Sequence, residues 1–151
     1  MLDHYKKYRK IALWSSISLF LIALTQDSYC TTSGCGNSLM SFLLGWLAIF
    51  FSAAAVSWIA NPLLILSWVT IRINPKISWY SSIAAFVLAS SFMLFDKIID
   101  NEAGHFNEII SYGLGYKLWL FSITIVFIWN FLLQQELKKR GISQKRNPFE
   151  L

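Results

Sequence analysis

The sequence predicts an all-α integral membrane protein: a four-helix bundle with both chain ends in the cytoplasm. Three observations predict it: a composition that is 56% hydrophobic and only 14% charged, four long apolar runs, and a one-sided distribution of lysine and arginine. An ordinary soluble domain carries roughly a quarter charged residues. We therefore expect residues 1–151 to form a single transmembrane domain.

The four apolar runs are each long enough to cross a bilayer, which takes about 20 helical residues for about 30 Å of hydrocarbon. They cover residues 8–25, 39–60, 77–95 and 111–133, and none of them contains Asp or Glu. Residues 134–151 follow as a basic cytoplasmic tail.

The second apolar run is overlong, because the chain is uncharged from Ser38 to Ile71. A straight helix of that length would reach about 50 Å. Pro62 lacks a backbone donor and disfavours helical geometry at Asn61. The sequence therefore predicts a kink near Asn61-Pro62, with Leu63–Ile71 either continuing the span or lying in the cytoplasmic interface.

The basic residues set the predicted orientation, since Lys and Arg favour the cytoplasmic side of short loops. Eleven of the thirteen precede span one, join spans two and three, or follow span four: Lys6, Lys7, Arg9, Lys10, Arg72, Lys76, Lys138, Lys139, Arg140, Lys145 and Arg146. The net charge of +5 is thus placed to meet an anionic lipid surface rather than nucleic acid. We expect a multi-pass protein of the inner (plasma) membrane.

Small residues recur at helical spacing, which favours close helix contacts in lipid. We expect span two to pack on span three, and the start of span four to approach a neighbour closely. The predicted packing positions are Gly45, Ala53, Ser57, Ser81, Ala85, Ala89, Gly113 and Gly115.

Both cysteines, Cys30 and Cys35, fall in the first predicted outer loop, Gln26 to Ser38. An oxidising compartment favours a structural disulfide there. The alternative is a redox-active pair, because the chain resembles quinone-linked thiol oxidases in having four spans, both ends inside and cysteines in the first outer loop. It differs in the Cys-x4-Cys spacing and in lacking a cysteine in the second outer loop, residues 96–110.

The second predicted outer loop carries Glu102, His105 and Glu108 at intervals of three, a spacing that could gather metal ligands on a helical turn. Gly104 interrupts such a helix and only one histidine is present, so we favour a solvated acidic loop. The sequence predicts no metal site and no cofactor.

The spans lack the acidic and histidine side chains that mark chemistry at membrane depth. We therefore expect a protein that is not an enzyme and acts through protein–protein contacts, as an accessory, immunity or defence component. Besides the lipid bilayer, its partner would be another membrane protein or a second copy. The alternative function is an oligomeric channel lined by small polar residues: Ser81, Ser82, Ser90 and Ser91.

Four motifs carry a further resemblance: Cys30-x4-Cys35, Gly45-Trp46-Leu47, the run from Trp58 through Asn61-Pro62 to Leu64, and the run from Tyr112 to Trp119. With these motifs the chain resembles a family of small, uncharacterised, four-span bacterial inner-membrane proteins. The resemblance implies no activity. It implies that the outer-leaflet ends of spans one, two and four are the distinctive part of the molecule.

Overall fold

The computed structural model describes residues 2–99 and 106–146, with side chains over 7–99 and 106–139. Within these ranges the protein is mixed α/β, with five α-helices and a four-stranded antiparallel sheet. The predicted all-α four-helix bundle is therefore wrong. Both predicted outer loops contain strands, and those strands pair with each other.

Two pairs of strands separate the helices, one pair after α1 and one before α5, and two short 3₁₀ segments, Ala53–Ile59 and Phe92–Leu94, adjoin the helices. The helices are α1 (Leu2–Leu24), α2 (Ser38–Ala48), α3 (Ala60–Thr70), α4 (Pro75–Ser91) and α5 (Leu114–Arg146). The strands are β1 (Asp27–Thr31), β2 (Gly34–Asn37), β3 (Lys97–Ile99) and β4 (Phe106–Tyr112).

The sheet joins the segment after α1 to the segment before α5, in the strand order β2-β1-β4-β3. Tyr29 of β1 lies opposite Tyr112 of β4, and Lys97 of β3 lies opposite Glu108 of β4. Aromatic and β-branched residues favour this pleated, half-buried setting. The pairing gives the strand backbones partners that two separate loops would lack.

The predicted disulfide is present and links Cys30 to Cys35, which lie directly opposite each other in the β1–β2 hairpin. The bond therefore cross-links the two strands of the hairpin, which lies at one edge of the sheet.

The second apolar run is not one span. Helix α2 ends at Ala48, and Ser52 is extended, with φ −136° and ψ 126°. Helical structure resumes at Ala53 as a 3₁₀ segment and becomes α-helical at Ala60, directly before Asn61-Pro62. The run is therefore interrupted at residues 49–52, and the kink near Asn61-Pro62 stays a prediction. Pro62 is the third residue of α3, in its first turn, where backbone N–H groups have no acceptor within that α-helix.

Residues 63–71 continue this helical region and pack into the bundle. Leu64 and Ser67 are fully buried, and the Trp68 ring packs edge-on against Phe20 with the ring centroids 5.4 Å apart. A tight turn then leads into α4, where the Asn74 side chain accepts from the backbone N–H groups of Lys76 and Ile77. Helices α3 and α4 thus form an antiparallel hairpin.

Helices α1 and α5 pack side by side in opposite directions. Ser16 Oγ donates to the Ser122 carbonyl over 2.8 Å, and an added Cβ at Gly115 would lie 3.1 Å from the Ala23 carbonyl. The first turns of α1, the α3–α4 turn and the last turns of α5 therefore lie at one end of the molecule. The sheet lies at the other.

Three helical segments are long and apolar enough to cross a membrane: Ala53–Thr70, Pro75–Leu94 and Leu114–Lys139. The core between them includes Ala60, Ala85 and Ala89, while large apolar side chains face outward. Small residues inside and large ones outside are typical of helices packed in lipid. The protein is membrane-associated.

We expect replacement of Cys30 by serine to lower the free energy of unfolding by about 2 kcal/mol, because the bond closes a short ring and the loop-closure contribution is correspondingly small. SDS-induced unfolding in mixed micelles measures the change. Reduction of the wild-type chain is the matched control and should reproduce the loss. An unchanged unfolding midpoint in both experiments would contradict a stabilising role for the bond.

Candidate functional site

An apolar cavity of about 150 Å³ lies between the sheet and the sheet-proximal ends of the helices. Side chains of α1, α2, the first 3₁₀ segment, α3 and α5 line it, together with residues of β1 and β3. Its largest lining groups are aromatic: Phe20, Tyr29, Phe42, Trp58, Phe92, Tyr116 and Trp119. No lining residue carries a charged side chain. The cavity can hold an apolar group in preference to an ion.

Helix α2 forms one wall of this cavity and has two unlike faces. Its cavity face carries one aromatic ring, Phe42, and otherwise small residues: Ser38, Ser41, Gly45 and Ala48. Its other face exposes large apolar side chains: Leu39, Met40, Leu43, Leu44, Trp46 and Leu47. The helix is only about 16 Å long. The two faces of α2 therefore differ in side-chain size: the mostly small side chains face the cavity, and the large apolar ones face away from the protein.

The turn after α2 extends this exposed apolar surface. Phe50 and Phe51 are 78% and 73% exposed. The chain then returns to the sheet, because Ala54 packs with Phe92, Ile98 and Tyr116 beneath it. Helix α2 therefore begins and ends near the sheet end and does not carry the chain across the bundle.

Ser38, the first residue of α2, provides an unsatisfied polar group in the cavity wall. Its side chain is 9% exposed, and among the described residues its Oγ has no hydrogen-bond partner. Its backbone N–H donates to the Gln26 carbonyl over 3.1 Å, which holds the residue in place. A buried hydroxyl without a partner is costly. It marks a position where a ligand oxygen could bind.

Asn61 and two tryptophans form the polar frame of the cavity. Trp119 Nε1 donates to Asn61 Oδ1 over 2.8 Å, and Asn61 Nδ2 donates to the Trp58 carbonyl over 3.0 Å. Trp58 Nε1 in turn donates to the Phe42 carbonyl of α2 over 2.8 Å. This chain of hydrogen bonds connects α5, α3 and α2, so Asn61 is an interhelical connector.

The sheet closes the cavity with aromatic contacts. The Phe92 ring lies 5.7 Å from Tyr29, 5.8 Å from Tyr112 and 5.4 Å from Tyr116, measured between ring centroids. Burial, and to a lesser degree the Asp96 carboxylate, raise the pKa of Tyr112. Its phenol is therefore neutral at physiological pH.

Three of the predicted packing glycines adjoin the site and permit close approaches. An added Cβ at Gly45 would overlap the Trp58 indole. At Gly113 it would lie 2.8 Å from the Asp27 carbonyl carbon, and at Gly115 it would lie 2.8 Å from the Asp27 oxygen. Gly113 and Gly115 thus let α5 start directly against β1 and α1.

The other predicted packing residues are distributed between the site and the bundle. Ser57 lines the cavity and donates to the Ala54 carbonyl over 2.7 Å. Ala85 and Ala89 lie in the helical core, and Ser81 is buried and donates to the Ile77 carbonyl. Ala53 is on the exposed side of its segment.

A second polar cluster lies toward the opposite end, around Asn130 of α5. Asn130 Nδ2 is 2.9 Å from Ser78 Oγ, 3.1 Å from Ser82 Oγ and 3.3 Å from Ser67 Oγ. All four residues are fully or almost fully buried. They connect α3, α4 and α5 by interhelical hydrogen bonds.

The serines of the channel hypothesis do not share one accessible surface. Ser81 and Ser82 are buried within the bundle, and the hydroxyls of Ser82 and Ser91 donate to carbonyls of their own helix. Of the acidic loop, Glu102 and His105 lie outside the described residues. Glu108 is in β4 and forms an exposed ion pair with Lys97 at 3.6 Å.

Sequence reasoning missed the cavity, Ser38 and the role of α2. It did single out the motifs that the fold brings together, because Gly45, Trp58, Asn61, Tyr116 and Trp119 all line the same cavity. The helical spacing of Ser38, Ser41, Gly45 and Ala48 was the available signal. It became interpretable only once α2 was known to be a separate short helix.

Comparison of the chain with protein-family models, with curated proteins and with solved structures finds no match. The chemistry of the site therefore rests on its own residues.

We expect Asn61→Leu to lower the free energy of unfolding by about 1–3 kcal/mol, because it leaves the Trp119 indole N–H without its acceptor. Trp119→Phe removes the donor and is the matched variant. The double variant should cost less than the sum of the two single ones when SDS-induced unfolding is measured. If the losses in free energy of unfolding of the two single variants were strictly additive, the coupling between Asn61 and Trp119 would be contradicted.

Proposed function

We propose that this chain is a multi-pass protein of the bacterial inner membrane that acts through protein–protein contacts, as an accessory, immunity or defence component. The exposed face of α2 is its contact surface, and the partner is a membrane-spanning segment of another protein. The observation that carries the proposal is that α2 is too short to span the bilayer and yet turns its bulky apolar side chains away from its own bundle.

The position of α2 supports a contact role. Outward-facing large side chains are typical of helices that cross lipid, but α2 has only eleven residues and is too short to span the bilayer. It turns its small residues inward and presents Leu43, Leu44, Trp46 and Leu47 outward. Phe50 and Phe51 continue the same surface. Clustered aromatic and aliphatic side chains are the usual anchors of a protein interface.

The interior polar groups support the same proposal. Asn130 and Asn61, two buried asparagines, hydrogen-bond to residues of neighbouring helices. Ser16 and Trp68 connect α1 with α3 through a 3.0 Å hydrogen bond. These side chains stabilise the bundle, which leaves recognition to its outer surfaces.

The orientation follows from the distribution of charge over the two ends. The end away from the sheet carries basic residues, among them Lys7, Arg9, Arg72, Lys76 and Lys138. The other end carries the disulfide, which persists in an oxidising compartment. We place the basic end in the cytoplasm and the sheet outside.

Two similarly exposed isoleucines test this orientation. Ile110 lies in β4 and is 68% exposed, whereas Ile73 lies in the α3–α4 turn and is 78% exposed. We expect a membrane-impermeant maleimide to label Ile110→Cys in intact cells and to label Ile73→Cys only after permeabilisation. Labelling with the opposite preference would contradict the orientation.

A site-specific photo-crosslinker tests the contact surface. Placed at Leu44 on the exposed face of α2, it should give one discrete adduct with another membrane protein in native membranes. The matched control is Val87, a comparably exposed position on α4. It should give lipid adducts alone, because α4 is expected to face the bilayer.

A charge on the same face completes the test. Leu43→Glu should abolish the Leu44 adduct while leaving the chain inserted and oxidised, because a buried charge destabilises an apolar contact. An adduct of twice the mass of the chain would assign the face to a second copy. Lipid adducts alone at Leu44 would refute the contact.

A further inference from the structure

We propose that the cavity beneath the sheet binds the acyl chain of a membrane lipid, with the ester carbonyl oxygen accepting a hydrogen bond from Ser38 Oγ. The inference concerns the inner face of α2. It is independent of a partner on the outer face.

The cavity has the size for a chain segment. Its volume of about 150 Å³ corresponds to roughly ten groups of the size of water, at about 10–15 Å³ each. Apolar cavities of this volume stay dry and take up apolar ligands. A run of methylene groups matches both the volume and the chemistry.

The lining selects for a neutral, apolar occupant. Aromatic rings from several elements surround the space, among them Phe20 of α1, Phe42 of α2, Trp58 of the first 3₁₀ segment and Trp119 of α5. The indole N–H groups of Trp58 and Trp119 are already bonded to Phe42 and Asn61. The two indoles therefore expose ring carbon atoms, and not free N–H groups, to the cavity.

Ser38 supplies the one polar contact. The hydroxyls of Ser41 and Ser57, which also line the cavity, donate to the carbonyls of Asn37 and Ala54. Ser38 Oγ is buried and, among the described residues, has no such acceptor. An ester carbonyl at the end of an acyl chain would satisfy it.

The lining residues carry no charged side chain, which favours an esterified acyl chain over a free fatty acid as the occupant. A carboxylate placed here would lose its hydration without a cationic partner, which is strongly unfavourable. A phospholipid ester carries its charge on the headgroup, several bonds away from the carbonyl. The esterified chain is therefore the favoured source, and a free fatty acid is the competing one.

Photolabelling of the full chain in phosphatidylcholine vesicles tests the site. Two probes are compared, a phosphatidylcholine and a free fatty acid that carry the same diazirine in the acyl chain. We expect saturable labelling of cavity residues by the phosphatidylcholine, with peptides mapped by mass spectrometry. Labelling confined to outward-facing residues such as Val87 would overturn the proposal, and stronger cavity labelling by the free acid would overturn the ester assignment.

Two variants with matched controls complete the experiment. Ala48→Phe fills the cavity and should reduce its labelling about tenfold, whereas Ala84→Phe, a half-buried position outside the lining, should not. Ser38→Ala removes one atom and should raise the half-saturating probe concentration about three- to tenfold, whereas Ser81→Ala, at a buried serine outside the lining, should leave it unchanged. Equal labelling of Ser38→Ala and wild type would overturn the role of Ser38.

Discussion

The pairing of β1 with β4 is the constraint on which the rest of the structure depends. It ties the segment that leaves α1 to the segment that enters α5, with Tyr29 opposite Tyr112. Gly113 and Gly115 make the approach possible, because any side chain there would collide with the backbone of Asp27 or with α1. With the sheet closed over this end, α1 and α5 must lie side by side, and the space beneath the sheet becomes a cavity.

The break in the second apolar run makes α2 a separate short helix at the sheet end of the protein. A single helix from 39 to 60 would have placed all its residues in the bundle. Because the chain turns at 49–52, α2 becomes a short wall with a cavity face of mostly small residues and a bulky outer face. Trp58 holds this wall through its hydrogen bond to the Phe42 carbonyl. The two proposals, a protein contact outside and an acyl chain inside, use opposite faces of the same eleven-residue helix.

Polar side chains in the bundle mainly position the helices. Asn130 donates hydrogen bonds to the hydroxyls of Ser67, Ser78 and Ser82 where three helices meet. Nearer the sheet, Asn61 accepts a hydrogen bond from the Trp119 indole N–H. Helices in lipid gain little from apolar contact with one another, so small residues and interhelical hydrogen bonds decide their arrangement. Ser38 departs from this pattern, because its buried hydroxyl has no acceptor among the described residues.

The sequence by itself determined that the chain is apolar enough to associate with a membrane, that basic residues gather toward one end, and that Cys30 and Cys35 could form a bridge. These properties depend on composition and short spacings, which are local. The sheet, the separate helix α2 and the cavity were decided only by the tertiary structure. Strand pairing between residues near 30 and 110 is a contact between distant segments, and no local pattern in Asp27–Thr31 or Phe106–Tyr112 specifies its partner. The break before Ala53 likewise contains no proline or glycine that would predict it. Pro62, the residue from which the sequence predicts an interruption, lies in the first turn of α3.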